Sequence, residues 1–289
     1  ICGAAVEKYF AIEPIEKKEY YRLSPAQKRL YILQQMSPRG TAYNMQQVCV
    51  LEGELNREIL ERTFNAITCR HESFRTSFIM VNEEPVQRIR DHIKFTIEQS
   101  TADSSGVTFI SRLKRPFDLA RAPLLRVLLE KAGDKKYILG VDMHHIISDG
   151  ISQAILFQDF MALYRGTLEE LKYRYKDYSA WQNSERGKEA VKQQQQYWHR
   201  AFAGDIPMLN LPVDYPRPRV QGFEGSAISF DMEAGETRGL KDLAKKEGTT
   251  LFIVLLAVLD VILAKISGKE DIILGIPAPG RRHMEINTD

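Results

Sequence analysis

Hydrophobic positions along this chain recur with two periods, one near 3.6 residues and one near two, which predicts a succession of helices and strands. Ser24 is a good helix cap, Pro25 suits a first helical position and Gln27 completes a capping box. Leu30 and Leu33 follow on one helical face. Residues 45–51 alternate as a strand. Asn56 then caps a helix with Ile59, Leu60, Phe64 and Ile67 along one face. Residues 70–78 form a charged helix end that runs into a strand. Strands are predicted at 85–89 and 93–98, a helix at 107–114 and a strand at 124–130. After the Gly133-Asp134 turn signal, residues 136–143 form a strand. Ile151, Ile155, Leu156, Phe157, Phe160 and Leu163 mark a helix from 151 to 164. A Gln-rich helix spans 188–203. Pro212, Pro216 and Pro218 exclude a regular element, so 211–225 is a linker. Beyond it the pattern predicts strands at 226–232 and 270–277 and helices at 236–246 and 250–266. The run from Leu251 to Ile266, interrupted by Asp260 and Lys265, is predicted as a buried helix. The resulting division is a tail and charged linker over 1–20, a first lobe over 21–210, the linker, and a second lobe over 226–289.

Composition narrows the class. With 289 residues, 44% of them hydrophobic, the chain can form one large or two ordinary domains. The 40 basic and 38 acidic residues nearly cancel, leaving +2 with no long run of one sign. That argues against a nucleic-acid surface. No apolar run approaches the ~20 residues that span a bilayer, and no signal peptide opens the chain. Cys2, Cys49 and Cys69 have no metal-ligand spacing and are expected to stay reduced in a cytoplasm. There is no P-loop, no GxGxxG after a strand and no paired CxxC, so no bound cofactor or metal is expected.

The densest chemistry lies in residues 143–150, where two adjacent histidines, His144 and His145, precede Asp149 and Gly150. They end a strand, and Asp149-Gly150 turns the chain into a helix. A strand end holds a side chain rigidly. Gly150 allows a backbone conformation that a residue with Cβ resists. Neighbouring strand residues face opposite sides, so only one histidine is expected to reach a substrate. Asp149 can fold back or pair with an arginine. On the residues alone, a catalytic cluster and a packed histidine beside a turn-capping Asp are equally good readings.

This string has the form HHxxxDG, and it resembles the hallmark of nonribosomal peptide synthetase condensation domains, which share a fold with chloramphenicol acetyltransferase. Other stretches are similar to the same family. Ser24 to Leu33 resembles SxAQxRLWxL with Tyr31 for Trp, and Thr41 to Met45 follows as in members that take an L-configured donor. Arg70 to Phe78 resembles RHExLRTxF with Phe74 for Leu. Residues 116–119 and 123–126 resemble PFDL and PLxR, expected to be packing and turn elements. Tyr175 to Trp181 resembles YxDYAxW, its aromatic residues expected in the core. Leu211 to Pro218 resembles the stretch that joins the two lobes. A strand and a GRxH turn over 270–283 precede, in the family, a motif that the chain does not reach.

The resemblance implies an α/β fold of two chloramphenicol-acetyltransferase-like lobes with mixed sheets, the first complete and the second partial. It implies peptide-bond formation between a donor thioester and an acceptor aminoacyl thioester, both carried on phosphopantetheine arms of upstream and downstream carrier domains, with an adenylation domain adjacent. His145 is then the catalytic residue, as general base or as the group that positions the amine. His144 packs against the scaffold, and the Gly150 N–H is a candidate oxyanion donor. Asp149 is expected to be structural, paired with Arg70 or, second, Arg75. Ser148 lacks a nucleophile elbow. The alternatives are an epimerization domain, a carrier- or CoA-dependent acyltransferase, or an inactive fragment or docking module. Ala26-Gln27-Lys28-Arg29 and Arg70-His71-Glu72 speak against epimerization, the succession of motifs against a free-standing acyltransferase and the intact HHxxxDG string against a docking module, while the truncated chain by itself stays open as an inactive fragment.

Overall fold

The computed structural model describes residues 11–100, 108–166, 168, 170–220, 222 and 225–277. The chain divides into two compact units, and the division falls between Gln194 and Gln195. The proline-rich stretch from 211 therefore lies within the second unit, where it carries no helix or strand.

The first unit holds all the strands found among the described residues. β1 (Tyr21–Arg22), β4 (Glu84–Ile89) and β3 (Thr76–Val81) make an antiparallel sheet in the order β1-β4-β3. The second sheet is mixed, in the order β2 (Asn44–Glu52), β7 (Lys136–His144), β6 (Leu125–Gly133), β5 (Glu98–Ser100), with β5 parallel to β6. β5 lies later than the strand expected over 93–98, because of those residues only Glu98 pairs with β6, followed by Gln99 and Ser100. α1 (Pro25–Met36) starts with the capping box expected from Ser24 and Gln27. α2 (Arg57–Arg70) is capped by Asn56, and α3 (Phe109–Leu113) by Thr108. α4 (Gly150–Arg165), α5 (Tyr175–Gln182) and α6 (Glu185–Ala201) complete the unit, with α6 crossing the division. A 3-10 turn over 72–75 links α2 to β3.

One core joins these parts. Leu60, Phe64 and Ile67 of α2 meet Leu125, Val127, Leu139 and Met143 of the mixed sheet and Leu156 of α4. β7 is buried on both faces. Leu139 and Met143 enter this core, while Gly140, Asp142 and His144 alternate to the other face. There α3 lies so close that a Cβ on Gly140 would sit 2.6 Å from Phe109 Cε1 and 2.7 Å from Leu113 Cδ2. A side chain at 140 would force the Phe109 and Leu113 side chains of α3 to shift.

One expectation for the first unit is refined and another is corrected. Residues 11–20 are mostly exposed and carry no helix or strand, but they are tethered: Ile12 is buried and the Ile15 N–H donates to Asp177 Oδ1 at 2.9 Å. Residues 1–10 lie outside the described residues. The Tyr175 to Trp181 aromatics are not in the core. Tyr175 is exposed, Tyr178 and Trp181 are half-buried, and the buried members are Asp177 and Ser179. The polar members go inside because they hold the entering chain: Asp177 takes the Ile15 N–H, and Ser179 donates to the Arg22 carbonyl at 2.7 Å.

In the second unit α7 (Ala234–Lys246) packs against α8 (Leu251–Ser267). The strands expected at 226–232 and 270–277 are absent among the described residues, since no neighbouring strand completes a ladder and Ile228 and Phe230 stand exposed. Nor is α8 buried. Only Val254 is, because α7 covers one side of a helix that is apolar all round. No single helix among the described residues is long and apolar enough to cross a membrane.

The face of β7 opposite the core generates a prediction. Asp142 is fully buried and Arg126 stands directly across from it on β6, with Nη1 at 2.9 Å from Oδ2. Replacing Arg126 by Ala strands that carboxylate and is expected to cost about 3–5 kcal/mol of unfolding free energy. Urea titration measures the loss, and the double replacement Arg126→Met with Asp142→Leu recovers part of it.

Candidate active site

The site grows from the end of β7. The strand pairs with β2 so that Asn44 faces His144 and Gln46 faces Asp142, while on its other side Arg126 faces Asp142. This register brings Asn44 Nδ2 to 2.8 Å, Gln46 Nε2 to 2.9 Å and Arg126 Nη1 to 2.9 Å from the Asp142 carboxylate. The carboxylate thus has three donors. Burial still raises the Asp142 pKa against the pull of these donors and of Arg126. Asn44 Nδ2 also reaches the Arg115 carbonyl at 2.9 Å, so two acceptors fix the orientation of this amide. The Arg126 guanidinium lies 4.3 Å from the centre of the Phe117 ring, whose edge-on neighbour is His144.

His144 is fully buried and both its ring nitrogens are used. Nδ1 accepts the Ile146 N–H at 3.1 Å, which places the ring proton on Nε2. From there it is donated to Gln34 Oε1 at 3.2 Å. Burial, helped by the neighbouring His145, pushes the His144 pKa down to about 4. This ring is a neutral structural element at neutral pH.

His145 differs in every respect. It lies in the turn after the strand, its side chain is exposed, and its N–H donates to the Tyr43 carbonyl at 2.7 Å. No hydrogen bond to its ring is found among the described residues. The backbone at 145 is therefore anchored while the imidazole is available. Ser148 is buried, and its hydroxyl donates to the His144 carbonyl at 3.4 Å.

Asp149 is the cap of α4: Oδ1 accepts both the N–H and the hydroxyl of Ser152 at 2.7 Å. Both arginines expected beside Asp149 are directed elsewhere. Arg70 Nε donates to Asp159 Oδ2 at 2.7 Å, and His71 Nε2 meets the same oxygen at 2.8 Å. Burial would raise Asp159, but His71 and Arg70 outweigh it and hold the carboxyl below its ordinary range. Arg75 donates to the carbonyls of Thr68, Cys69, Arg90 and Asp91, fastening the end of α2 to the segment that leaves β4. The reason is geometric: Arg70 ends α2, which packs along α4, and Asp159 lies on α4 where the two helices meet. Gly150 is also corrected. It is the first residue of α4, outside the left-handed region, and a Cβ there would meet nothing within 4 Å. Its lack of a side chain leaves open space at the helix N-terminus and relieves no backbone strain.

Several residues of this site escape a reading of the sequence. Gln34, Gln46 and Asp159 lie in unrelated segments and have no pattern of their own, and nothing in the Thr41 to Met45 string marks the Tyr43 carbonyl as the partner of His145. Asp142 does carry a signal, since a carboxylate in an apolar strand two residues before a histidine must share its buried face.

Comparison with known proteins gives the family. The chain belongs to the condensation domain family, whose model matches residues 17–288. It is 46% identical over 279 residues to tyrocidine synthase 3 of Brevibacillus parabrevis, covering 96% of this chain and 4% of that protein. It is 44% identical over 284 residues to gramicidin S synthase 2 of Aneurinibacillus migulanus, covering 98% and 6%. The chain thus spans a small part of the relatives it matches. Among solved structures, the X-domain from teicoplanin biosynthesis superposes with a TM-score of 0.77 at 24% identity, covering 89% of this chain and 59% of that one, which shows the shared fold. A four-domain nonribosomal peptide synthetase bound to AMP and glycine gives 0.72 at 25% identity, covering 91% and 20%.

The buried ring predicts a pH dependence. Unfolded, His144 binds a proton near its ordinary value of 6.5; folded, it does so near 4. Its contribution to stability is therefore complete above pH 6.5 and is lost as pH falls through 6.5 towards 4, up to about 3 kcal/mol. Asp142, with a raised pKa, shifts the opposite way, so the difference between wild type and His144→Asn isolates the histidine. Denaturant unfolding at pH 7.5 and pH 4.5 is expected to show a steeper loss for wild type.

Proposed function

We propose that this chain carries the active histidine of a condensation domain that forms a peptide bond in nonribosomal peptide synthesis. The donor is an acyl or peptidyl thioester and the acceptor an aminoacyl thioester, each on the phosphopantetheine arm of a carrier domain, one upstream and one downstream. The carrier domains and an adjacent adenylation domain supply the arms and the activated amino acids. The Thr41 to Met45 string supports an L-configured donor. The observation that carries the reading is the contrast between the two histidines: His144 is sealed at both nitrogens, whereas His145 stands exposed on an anchored backbone. The family membership and the peptide synthases among the relatives support the same reaction.

In this reaction the acceptor amine attacks the donor carbonyl, an oxyanion forms, and the thiolate leaves. His145 is the group that faces the amine. An α-amino group has a pKa of roughly 7.7–8.0, so a useful fraction is already neutral near pH 7. The histidine therefore needs to orient the amine and accept its proton as the C–N bond forms, with less demand for a strong base. The Gly150 N–H begins α4, where N–H groups lack helical acceptors and the helix end is positive. The open space around Gly150 supports this N–H as the donor to the oxyanion.

Replacing His145 by Ala in the intact synthetase, with both carriers loaded, is expected to reduce dipeptidyl-carrier formation by roughly 10²-fold or more. Mass spectrometry across pH 6 to 9 follows the product. Recovery of the variant at high pH identifies proton removal as the role of the ring, and loss at every pH identifies orientation. Inversion of the upstream Cα centre by the wild type, with no dipeptide formed, would sink the condensation reading in favour of epimerization.

A further inference from the structure

Gln34 lies near the end of α1, is only 4% exposed, and takes no part in the chemistry described above. Its carboxamide has two ends with two separate duties. Oε1 accepts the His144 Nε2–H at 3.2 Å. Nε2 lies 3.3 Å from each of three carbonyl oxygens, those of Ser37, Pro38 and Gly40, in the turn that leaves α1. The chain runs directly from that turn through Thr41 to Tyr43, and the Tyr43 carbonyl receives the His145 N–H. Thr41 in turn accepts the Asn44 N–H at 3.1 Å, which closes the approach to β2.

Both supports of His145 therefore begin at one side chain. On one side, Gln34 holds the His144 ring, and that ring holds the Ile146 N–H immediately after His145. On the other, Gln34 holds the turn that presents the Tyr43 carbonyl. We infer that Gln34 is a positioning residue that sets the direction in which His145 presents its ring. The chemistry favours an amide here. Because His144 Nδ1 accepts an N–H, its proton must sit on Nε2 and needs an acceptor, while the turn carbonyls need a donor. A neutral carboxamide supplies both, whereas a hydrocarbon supplies neither and a carboxylate only the first.

The role rests on the reading of His145 given above, and the test separates the two. Gln34→Met removes both ends of the amide, and Gln34→Glu keeps the acceptor for His144. In the intact synthetase with loaded carriers, Gln34→Met is expected to slow amide formation roughly tenfold or more at saturating acceptor carrier. The half-saturating carrier concentration is expected to stay unchanged, with Gln34→Glu recovering part of the rate. In the 289-residue chain, nitrogen-15 spectra report independently of turnover. Wild type is expected to show His144 as the Nε2–H tautomer and a His145 amide protected from exchange, and Gln34→Met to lose both. If Gln34→Met does not fold, Gln34→Glu carries the second comparison, with the tautomer kept and the His145 protection reduced. Unchanged spectra in the folded variants overturn the inference, and so does a changed spectrum with an unchanged rate. A wild-type synthetase that forms no amide overturns the reading of His145 instead, while the spectra still decide whether Gln34 holds the turn.

Discussion

Two polar side chains, Asp142 and His144, are fully buried on one face of a central strand, and much of the first unit is arranged to satisfy them. A buried carboxylate without partners is intolerable in an apolar interior. The register of β2, β7 and β6 answers by placing Gln46 and Arg126 directly across from it and Asn44 two residues along β2, so that two amides and a guanidinium surround it. A buried imidazole has two nitrogens to satisfy, and the turn of residues 145–147 and the end of α1 answer those. The strand end is rigid because each of these demands is met from a different element. His145 inherits that rigidity through its backbone, while its ring has no such duty.

The motif segments serve mainly as connectors around this strand. Gln27, in the capping box of α1, reaches the Ile146 carbonyl at 3.4 Å. Arg70 and His71 fasten α2 to α4 through Asp159, Glu72 joins α5 through Lys176 at 3.0 Å, and Arg75 closes the end of α2. Asp177 and Ser179 hold the chain that enters β1. Residue types that look chemical in the sequence thus spend their charge on neighbouring elements. Most of these partners are partly buried, where a hydrogen-bonded ion pair is worth more than on a solvated surface. The second unit shows the opposite balance. α8 is apolar all round, yet most of it stands exposed, and the residues expected as strands have no ladder among those described. Local preference forms a helix there because its hydrogen bonds are internal, but a strand needs a neighbour.

By itself the sequence determined the local units. Caps at Ser24 and Asn56, the periods of 3.6 and two, the turn at Gly133-Asp134 and the HHxxxDG string place the helices and the strands of the first unit, and put the paired histidines between a strand and a helix. These signals act within a few residues, so they can be read along the chain. Alternation also indicated that the two histidines part company. Tertiary structure alone decided which partners the polar residues take. Asp159 rather than Asp149 meets Arg70 because α2 lies along α4, and Gln34 meets His144 across 110 residues because α1 ends beside β7. Such pairings depend on sheet register and helix packing, which distribute no pattern along the sequence that a local reading can detect.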